Sequence, residues 1–249
     1  MKLGWMAGGV LALLLMAPVA SADCEAEPGV AVNWARCDLS GRDLSGLDLR
    51  RAVFGRAELV GADLSGSWLE GADFTFAEAQ GARFDAARLG RARFMGAGLE
   101  AASLVGADLS SARLDRARLG GARFSEARLD GASLLQAEAR GSDFQGASLR
   151  ESRLERAILW EADLSGADLT QADLRGANLQ EARLHGARLE RANLEGARLY
   201  RADLSEADLT RVRLVGANLD GVRLDGARLD NAIWVDHRRC RPGSVGECL

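Results

Sequence analysis

The sequence predicts a solenoid, an elongated all-β fold in which short extended segments are joined by tight bends. A centre position recurs every five residues from Leu39 to Trp234, and 37 of these forty positions hold Leu or Phe. Two residues before each centre, 32 of the forty positions hold Ala. An apolar pair that recurs every five residues fits neither the period of a helix nor that of a strand. It fits two or three extended residues followed by a bend.

Residues 1–22 have the form of a secretory signal peptide. Lys2 precedes the apolar run Val10–Met16, and Ala20, Ser21 and Ala22 are small residues at the positions that signal peptidase reads. The alternative is an N-terminal membrane anchor, but the apolar run is shorter than the ~20 residues of a comfortable span. We therefore expect cleavage after Ala22, no membrane span afterwards, and a periplasmic or extracellular bacterial protein.

Four cysteines flank the repeats and none lies inside them. Export to an oxidising compartment predicts two local disulfides, Cys24–Cys37 and Cys240–Cys248, because the ends of a long solenoid are too far apart for the other pairings. Zinc binding is the runner-up interpretation. The cysteine spacings are not of zinc-finger type, and His237 alone does not complete a site.

The charge pattern disfavours nucleic acid as a partner. The net charge is −4, or −5 once the segment containing Lys2 is removed, and acidic and basic residues alternate along the chain. There is accordingly neither a basic patch nor a uniformly acidic surface. Aromatic residues make up only 5% of the chain, so the predicted core is thin and built from Leu and Ala.

The chain divides into four predicted parts: the signal peptide, an N-terminal cap at residues 23–36, the repeats at residues 37–235, and a disulfide-tied tail at residues 236–249. Trp34 is placed to cover the first coil, and the basic tail is expected to cover the last, since an open edge invites aggregation. Within the repeats, Gly often precedes the Ala position, as at Gly61 and Gly176, and supplies the backbone freedom that a frequent bend needs.

The units Ala-Asp-Leu-Ser-Gly at 62–66 and Ala-Asn-Leu-Asp-Gly at 217–221 resemble those of the pentapeptide-repeat proteins. This resemblance implies a right-handed quadrilateral parallel β-helix, in which four units make one coil and Leu, Phe and Ala point inward. Forty units would then form about ten coils.

The spacing of Phe residues independently favours a coil of twenty residues. Phe54, Phe74 and Phe94 lie twenty residues apart, as do Phe124 and Phe144. Rings placed one above another at an inter-strand spacing of ~4.8 Å can stack.

No set of residues suggests a catalytic site, and we predict neither an enzyme nor a cofactor. His185 and His237 are the only histidines, and His185 falls in an outward position. The many Asp residues are expected to point outward from different faces, which disfavours paired-carboxylate catalysis. No metal ligand is assigned, although calcium binding by these carboxylates is left open.

Exposed apolar residues are the clearer indication of function. Four of them fall in outward positions on the face that also carries the unusual centres Ala79 and Ala139, and these define the candidate interaction face: Val60, Ile158, Trp160 and Tyr200. Aromatic anchors on a polar surface are typical of binding sites. The alternative is that they are isolated surface residues, which are common.

These observations predict an exported, non-enzymatic solenoid that acts as a rigid structural and protein-interaction scaffold. The partner would be an unidentified protein or envelope component, and self-association into a homo-oligomer is left open. The family resemblance implies an alternative, in which the protein mimics DNA, binds DNA gyrase and protects it from inhibitors. That role requires a cytoplasmic location and a mainly acidic face, which the signal peptide and the mixed charge disfavour.

Overall fold

The computed structural model describes residues 22–249, so the predicted signal peptide lies outside the described residues except for Ala22. Each five-residue unit repeats one backbone pattern, with a single bridge residue just before the centre and two turn residues after it. In this part of the chain no helix forms, and the extended elements are isolated one-residue bridges. They are shorter than the two or three residues expected, because a bend returns every five residues.

The parallel bridges join residues that are twenty apart in sequence. Parallel bridges run from Asn33↔Val53 to Arg213↔Ile233. Each unit bonds to the units about twenty residues before and after it: the Leu169 N–H donates to the Arg188 carbonyl at 2.7 Å, and the Asp168 N–H donates to the Ala147 carbonyl at 2.9 Å. This pairing makes a parallel β-helix, and its register is the one that the Phe spacing predicts. We call residues that are twenty apart a column.

The bends place their second turn residue in the left-handed region. Gly176 has φ of 64°, but Gln171 has φ of 60° and Phe76 of 56°, so Gly is frequent at this position and not obligatory. Each turn is closed by a hydrogen bond across it, as where the Ala172 N–H donates to the Leu169 carbonyl at 3.0 Å. A non-glycine residue pays about 1–2 kcal/mol for this conformation. The hydrogen bonds made on both sides of each unit hold the bends in place.

Asp residues directly before the centre stabilise these bends. The Asp168 carboxylate accepts hydrogen bonds from the Thr170 N–H at 3.0 Å and from Thr170 Oγ1 at 2.5 Å. Asp63 accepts in the same way from the Ser65 N–H at 2.9 Å. Such Asx-type bonds favour tight turns. They explain why the unit so often reads Ala-Asp-Leu followed by Ser or Thr.

The core consists of the centre and Ala positions, which are almost entirely buried along the repeats. The rings of Phe54 and Phe74 stack with centroids 4.6 Å apart, as do those of Phe74 and Phe94. Phe124 and Phe144 form a second stack at 4.7 Å. The unusual centres Ala79 and Ala139 are also buried, so they are part of the core and not of the outer surface.

The N-terminal end is covered. Trp34 is fully buried, and its ring lies 5.7 Å from that of Phe54. The first parallel bridge, Asn33↔Val53, falls inside the segment predicted as the cap, so Trp34 occupies a centre position of its own. The structure joins Cys24 to Cys37, with Cα atoms 5.5 Å apart. This is the local pairing expected from the sequence.

The C-terminal tail covers only part of the last coil. It pairs antiparallel through Arg228↔Val245 and Ile233↔Arg239, and Cys240 is joined to Cys248 as predicted. The N–H groups of Leu219 and Leu224 find no hydrogen-bond acceptor among the described residues, and both side chains are partly exposed. The expected cover is therefore incomplete, because the short disulfide loop holds the tail beside residues 228–233.

Candidate interaction surface

The four residues of the candidate interaction face all point outward, but the structure does not gather them into one patch. Val60 is 49% exposed and Ile158 is 40% exposed, whereas Trp160 and Tyr200 are half-buried. Ile158 and Trp160 flank the same centre. At ~4.8 Å per coil, Tyr200 lies about 10 Å and Val60 about 24 Å from Trp160 along the solenoid. The residues thus form a line with polar residues between them.

Both aromatic rings of this face are partly covered by guanidinium groups. The Arg140 Cζ lies 4.0 Å from the Trp160 ring centroid, and the same guanidinium contacts Glu161 at 3.2 Å. The Arg201 Cζ lies 4.9 Å from the Tyr200 ring centroid. Cation–π contacts of this kind are worth about 0.5–1 kcal/mol at exposed sites. A partner that uses Trp160 would have to contact Arg140 as well.

A second apolar surface, which sequence reasoning missed, lies in a groove on the outside of the solenoid. The groove has a volume of about 680 Å³, and its apolar lining comes from Phe76, Met95 and Leu135. Phe76 is 54% exposed. The charged lining of the groove comes from Arg113, Asp115, Arg116, Glu155, Arg156 and Arg175. All of these residues belong to the bends of successive coils except Arg113, which is a bridge residue.

Phe76 reaches the groove because Gly96 leaves space for it. A Cβ atom at Gly96 would stand only 2.5 Å from Cε1 of the Phe76 ring, so the ring lies over the position that a larger residue would fill. The Arg56 Cζ lies 5.7 Å from the ring centroid. The available sequence signal was an aromatic residue in a bend position, followed twenty residues later by Gly in the same column.

The carboxylates of the groove are paired, but two of its arginines are not. Asp115 contacts Arg113 at 3.3 Å, and Glu155 contacts Arg175 at 3.4 Å. Arg116 donates only to the amide oxygen of Gln136, at 3.1 Å. Arg156 has no carboxylate partner among residues 22–249. With four arginines against two carboxylates, the lining carries two net positive charges.

The outward Asp residues of the described chain serve the bends and ion pairs. Burial raises the pKa of Asp163, but hydrogen bonds from Arg183 and Ser165 outweigh burial and hold that pKa below its ordinary value of 3.8. Such a carboxyl group is ionised at neutral pH and cannot act as a general acid. His185 Nδ1 lies 3.0 Å from Ser205 Oγ, and the Ser205 hydroxyl donates to the Asp203 carboxylate at 2.6 Å.

Residues 22–249 contain no cluster of three His, Cys, Asp or Glu side chains that could hold a metal ion. In the same range, no helix has the length and apolar character needed to cross a membrane.

The stacked parallel bridges and the Leu, Phe and Ala core define a parallel β-helix solenoid. The family model of pentapeptide repeats, in eight copies, matches residues 35–67, 57–96, 92–131, 122–161, 157–196 and 197–233. The chain therefore belongs to the pentapeptide repeat family. No curated protein sequence matches it.

Solved structures of the same family resemble this chain. HetL, a pentapeptide repeat protein involved in heterocyst differentiation regulation from the cyanobacterium Nostoc sp. strain PCC 7120, is 32% identical, with a TM-score of 0.58. The match covers 84% of this chain and 92% of HetL. QnrB1, a plasmid-mediated fluoroquinolone resistance protein, is 23% identical over 82% of this chain and 92% of its own, with a TM-score of 0.29. A pentapeptide repeat protein from the Arabidopsis thaliana thylakoid lumen is 27% identical over 46% of this chain and 70% of its own, with a TM-score of 0.18.

Proposed function

We propose that this protein is an exported, non-enzymatic scaffold that binds a protein or envelope partner along the outside of a rigid solenoid. In this proposal the solenoid is a quadrilateral rod of about ten coils, and the partner contacts the face that carries Val60, Ile158, Trp160 and Tyr200. The observation that carries the proposal is the exposure of Val60 and Ile158, together with the half-buried rings of Trp160 and Tyr200, on a surface otherwise rich in ion pairs. HetL is involved in regulation, which supports a binding role over a catalytic one.

Export is supported by the signal-type N-terminus and by the two local cysteine pairs. Disulfides persist in oxidising compartments and are rare in the cytosol. Cell fractionation, followed by intact mass measurement and thiol labelling, tests this part. We expect an envelope or secreted protein that begins at Asp23 and has no reactive thiol. A reduced, full-length protein in the cytosol would contradict export.

Partner binding can be tested by crosslinking in the native envelope. Trp160→Ala should reduce the yield of crosslinked partner and lower the melting temperature by no more than about 4 °C, because outside the core its ring loses only the contact with Arg140. Trp68→Ala is the matched control, since guanidinium groups, those of Arg50 and Arg88, also lie over the Trp68 ring, but in another column. Equal crosslinking by both variants, together with unchanged sedimentation, would remove the role of this face.

No observation favours the gyrase-protecting alternative. A DNA-like surface would need rows of unpaired negative charge, but Asp163 contacts Arg183 at 2.7 Å and Asp168 contacts Arg150 at 2.9 Å. A cytosolic and reduced protein in the fractionation experiment would restore that alternative.

A further inference from the structure

We infer that the groove lined by Phe76, Met95 and Leu135 binds an extended acidic segment of a partner protein. An aromatic or aliphatic side chain of the segment would pack on Phe76 and Met95, and two carboxylates would pair with Arg116 and Arg156. This inference rests on the proposed scaffold function and adds a second surface to it, together with the chemistry of the occupant.

The charge of the groove selects an anionic occupant. Arg113 and Arg175 already have carboxylate partners, so their charges are balanced within the protein. Arg116 and Arg156 are exposed and lack such partners among the described residues. Charge-assisted pairs between guanidinium and carboxylate groups are the strong hydrogen bonds of protein surfaces. An acidic ligand would therefore find two free cations.

The spacing of these groups favours an extended chain. Arg116 and Arg156 occupy the same column two coils apart, which corresponds to ~10 Å. A strand rises about 3.3 Å per residue, so carboxylates about three residues apart would reach both arginines. The whole groove spans about five inter-coil steps, or ~24 Å, which accommodates about seven extended residues. Phe76 and Leu135 offer apolar contacts at one end and between the cations.

Other occupants fit less well. Sites for small molecules bury most of the ligand surface, whereas this groove is open enough to leave Phe76 54% exposed. Nucleic acid would bring a phosphate row against Asp115 and Glu155 as well as the arginines, and the net charge of two is small for such a polyanion. The mixture of apolar and cationic lining matches a short acidic protein segment.

To test this inference, a phage library of random heptapeptides is selected for binding to the immobilised mature protein. We expect the selected peptides to combine acidic residues with an aromatic or aliphatic residue. Fluorescein-labelled copies then give Kd values by anisotropy. The double variant Arg116→Glu/Arg156→Glu should weaken binding by at least about tenfold, and added salt should weaken binding to the parent. Phe76→Ser should also weaken it.

The matched control is Arg51→Glu/Arg91→Glu. These two arginines also occupy exposed bend positions forty residues apart, but in a different column. The control should bind within about twofold of the parent, since only a distant surface charge changes. Circular dichroism of each variant shows whether the fold is retained.

Three results would overturn the inference. The first is that acidic peptides are not enriched, and the second is that the groove variant and the control bind the peptides equally well. The third is that the groove variant weakens the binding only of duplex DNA or of the small anion 8-anilinonaphthalene-1-sulfonate. The outcome is separable from that of the proposed function. If Trp160→Ala changes neither the binding of the peptides nor the binding of the native partner, the inference about the groove stands. The proposed role of the face that carries Trp160 is then disproved.

Discussion

The two halves of the repeat region share one backbone but differ in what fills it. In the mixed half, residues 52–144, the core contains six Phe rings and the two Ala centres. In the uniform half, residues 149–229, every centre is Leu. The bridges nevertheless join residues twenty apart in both halves. The backbone register therefore does not depend on which apolar residue stands at a given centre.

In the mixed half, large neighbours compensate for the two small centres. Ala79 lies between Phe74 and Phe84 in the chain, and the two rings meet edge to face across it, with centroids 5.6 Å apart. Ala139 likewise directly precedes the unit of Phe144. A small centre beside large ones conserves the volume of the layer, which cores tolerate better than a change in volume. The single rings of Phe54, Phe94 and Phe124 stand among Leu centres without a small neighbour, so the solenoid also accommodates moderate differences in layer volume.

The largest expected effect comes from placing a charge in the uniform half. Leu169→Asp removes about 1.5–3 kcal/mol of apolar burial and buries an unpaired carboxylate at a cost of several kcal/mol more. This approaches the whole stability of a typical domain, about 5–15 kcal/mol. We expect the cooperative melting transition, measured by circular dichroism, to be lost.

The control for this variant is Gln171→Asp, two residues away in an exposed bend. It should change the unfolding free energy by less than about 0.5 kcal/mol, because exposed substitutions are usually small in effect and Asp tolerates the left-handed conformation. An unchanged melting curve for Leu169→Asp would contradict the inward assignment of the centres.

An intermediate effect is expected from overfilling the mixed half. Ala79→Leu adds volume beside Phe74 and Phe84 and should cost about 1–3 kcal/mol in denaturant unfolding. Phe84→Leu in the same molecule should recover part of that loss, because it makes room in the same layer. The native chain offers the reference: Leu179, in the column of Ala79, stands between Leu174 and Leu184. A double variant no more stable than Ala79→Leu alone would disprove compensation.

The sequence allowed the interior to be predicted far better than the outside. The solenoid followed from the five-residue period, and its twenty-residue pairing from the spacing of Phe54, Phe74 and Phe94, because inward residues obey the strict period of the backbone. The groove did not, because the placement of the Phe76 ring depends on the missing side chain of Gly96 in the next coil. The cover of Arg140 on Trp160 also depends on a neighbour twenty residues away. Such contacts require the conformations of long side chains, which the repeat pattern does not specify.

The smallest expected effect concerns Asp168, in the uniform half. Burial raises its pKa, but hydrogen bonds from Thr170 and Arg150 outweigh burial and keep the pKa below 3.8. A carboxyl group whose pKa is lower in the folded state stabilises the protein above its unfolded pKa. That contribution decreases as the pH falls below about 3.8 and through the folded-state pKa.

Asp168→Asn should therefore cost up to about 1 kcal/mol at pH 7, where the ion pair with Arg150 is lost, and less at pH 2. The loss is small because an amide can still accept the bend hydrogen bond, as Asn193 does from the Glu195 N–H at 3.1 Å. Denaturant unfolding of parent and variant at both pH values measures the difference. A cost that stays the same at pH 2 would mean that the charge of Asp168 contributes nothing to stability. This bend of the uniform half would then be stabilised by hydrogen-bond geometry alone.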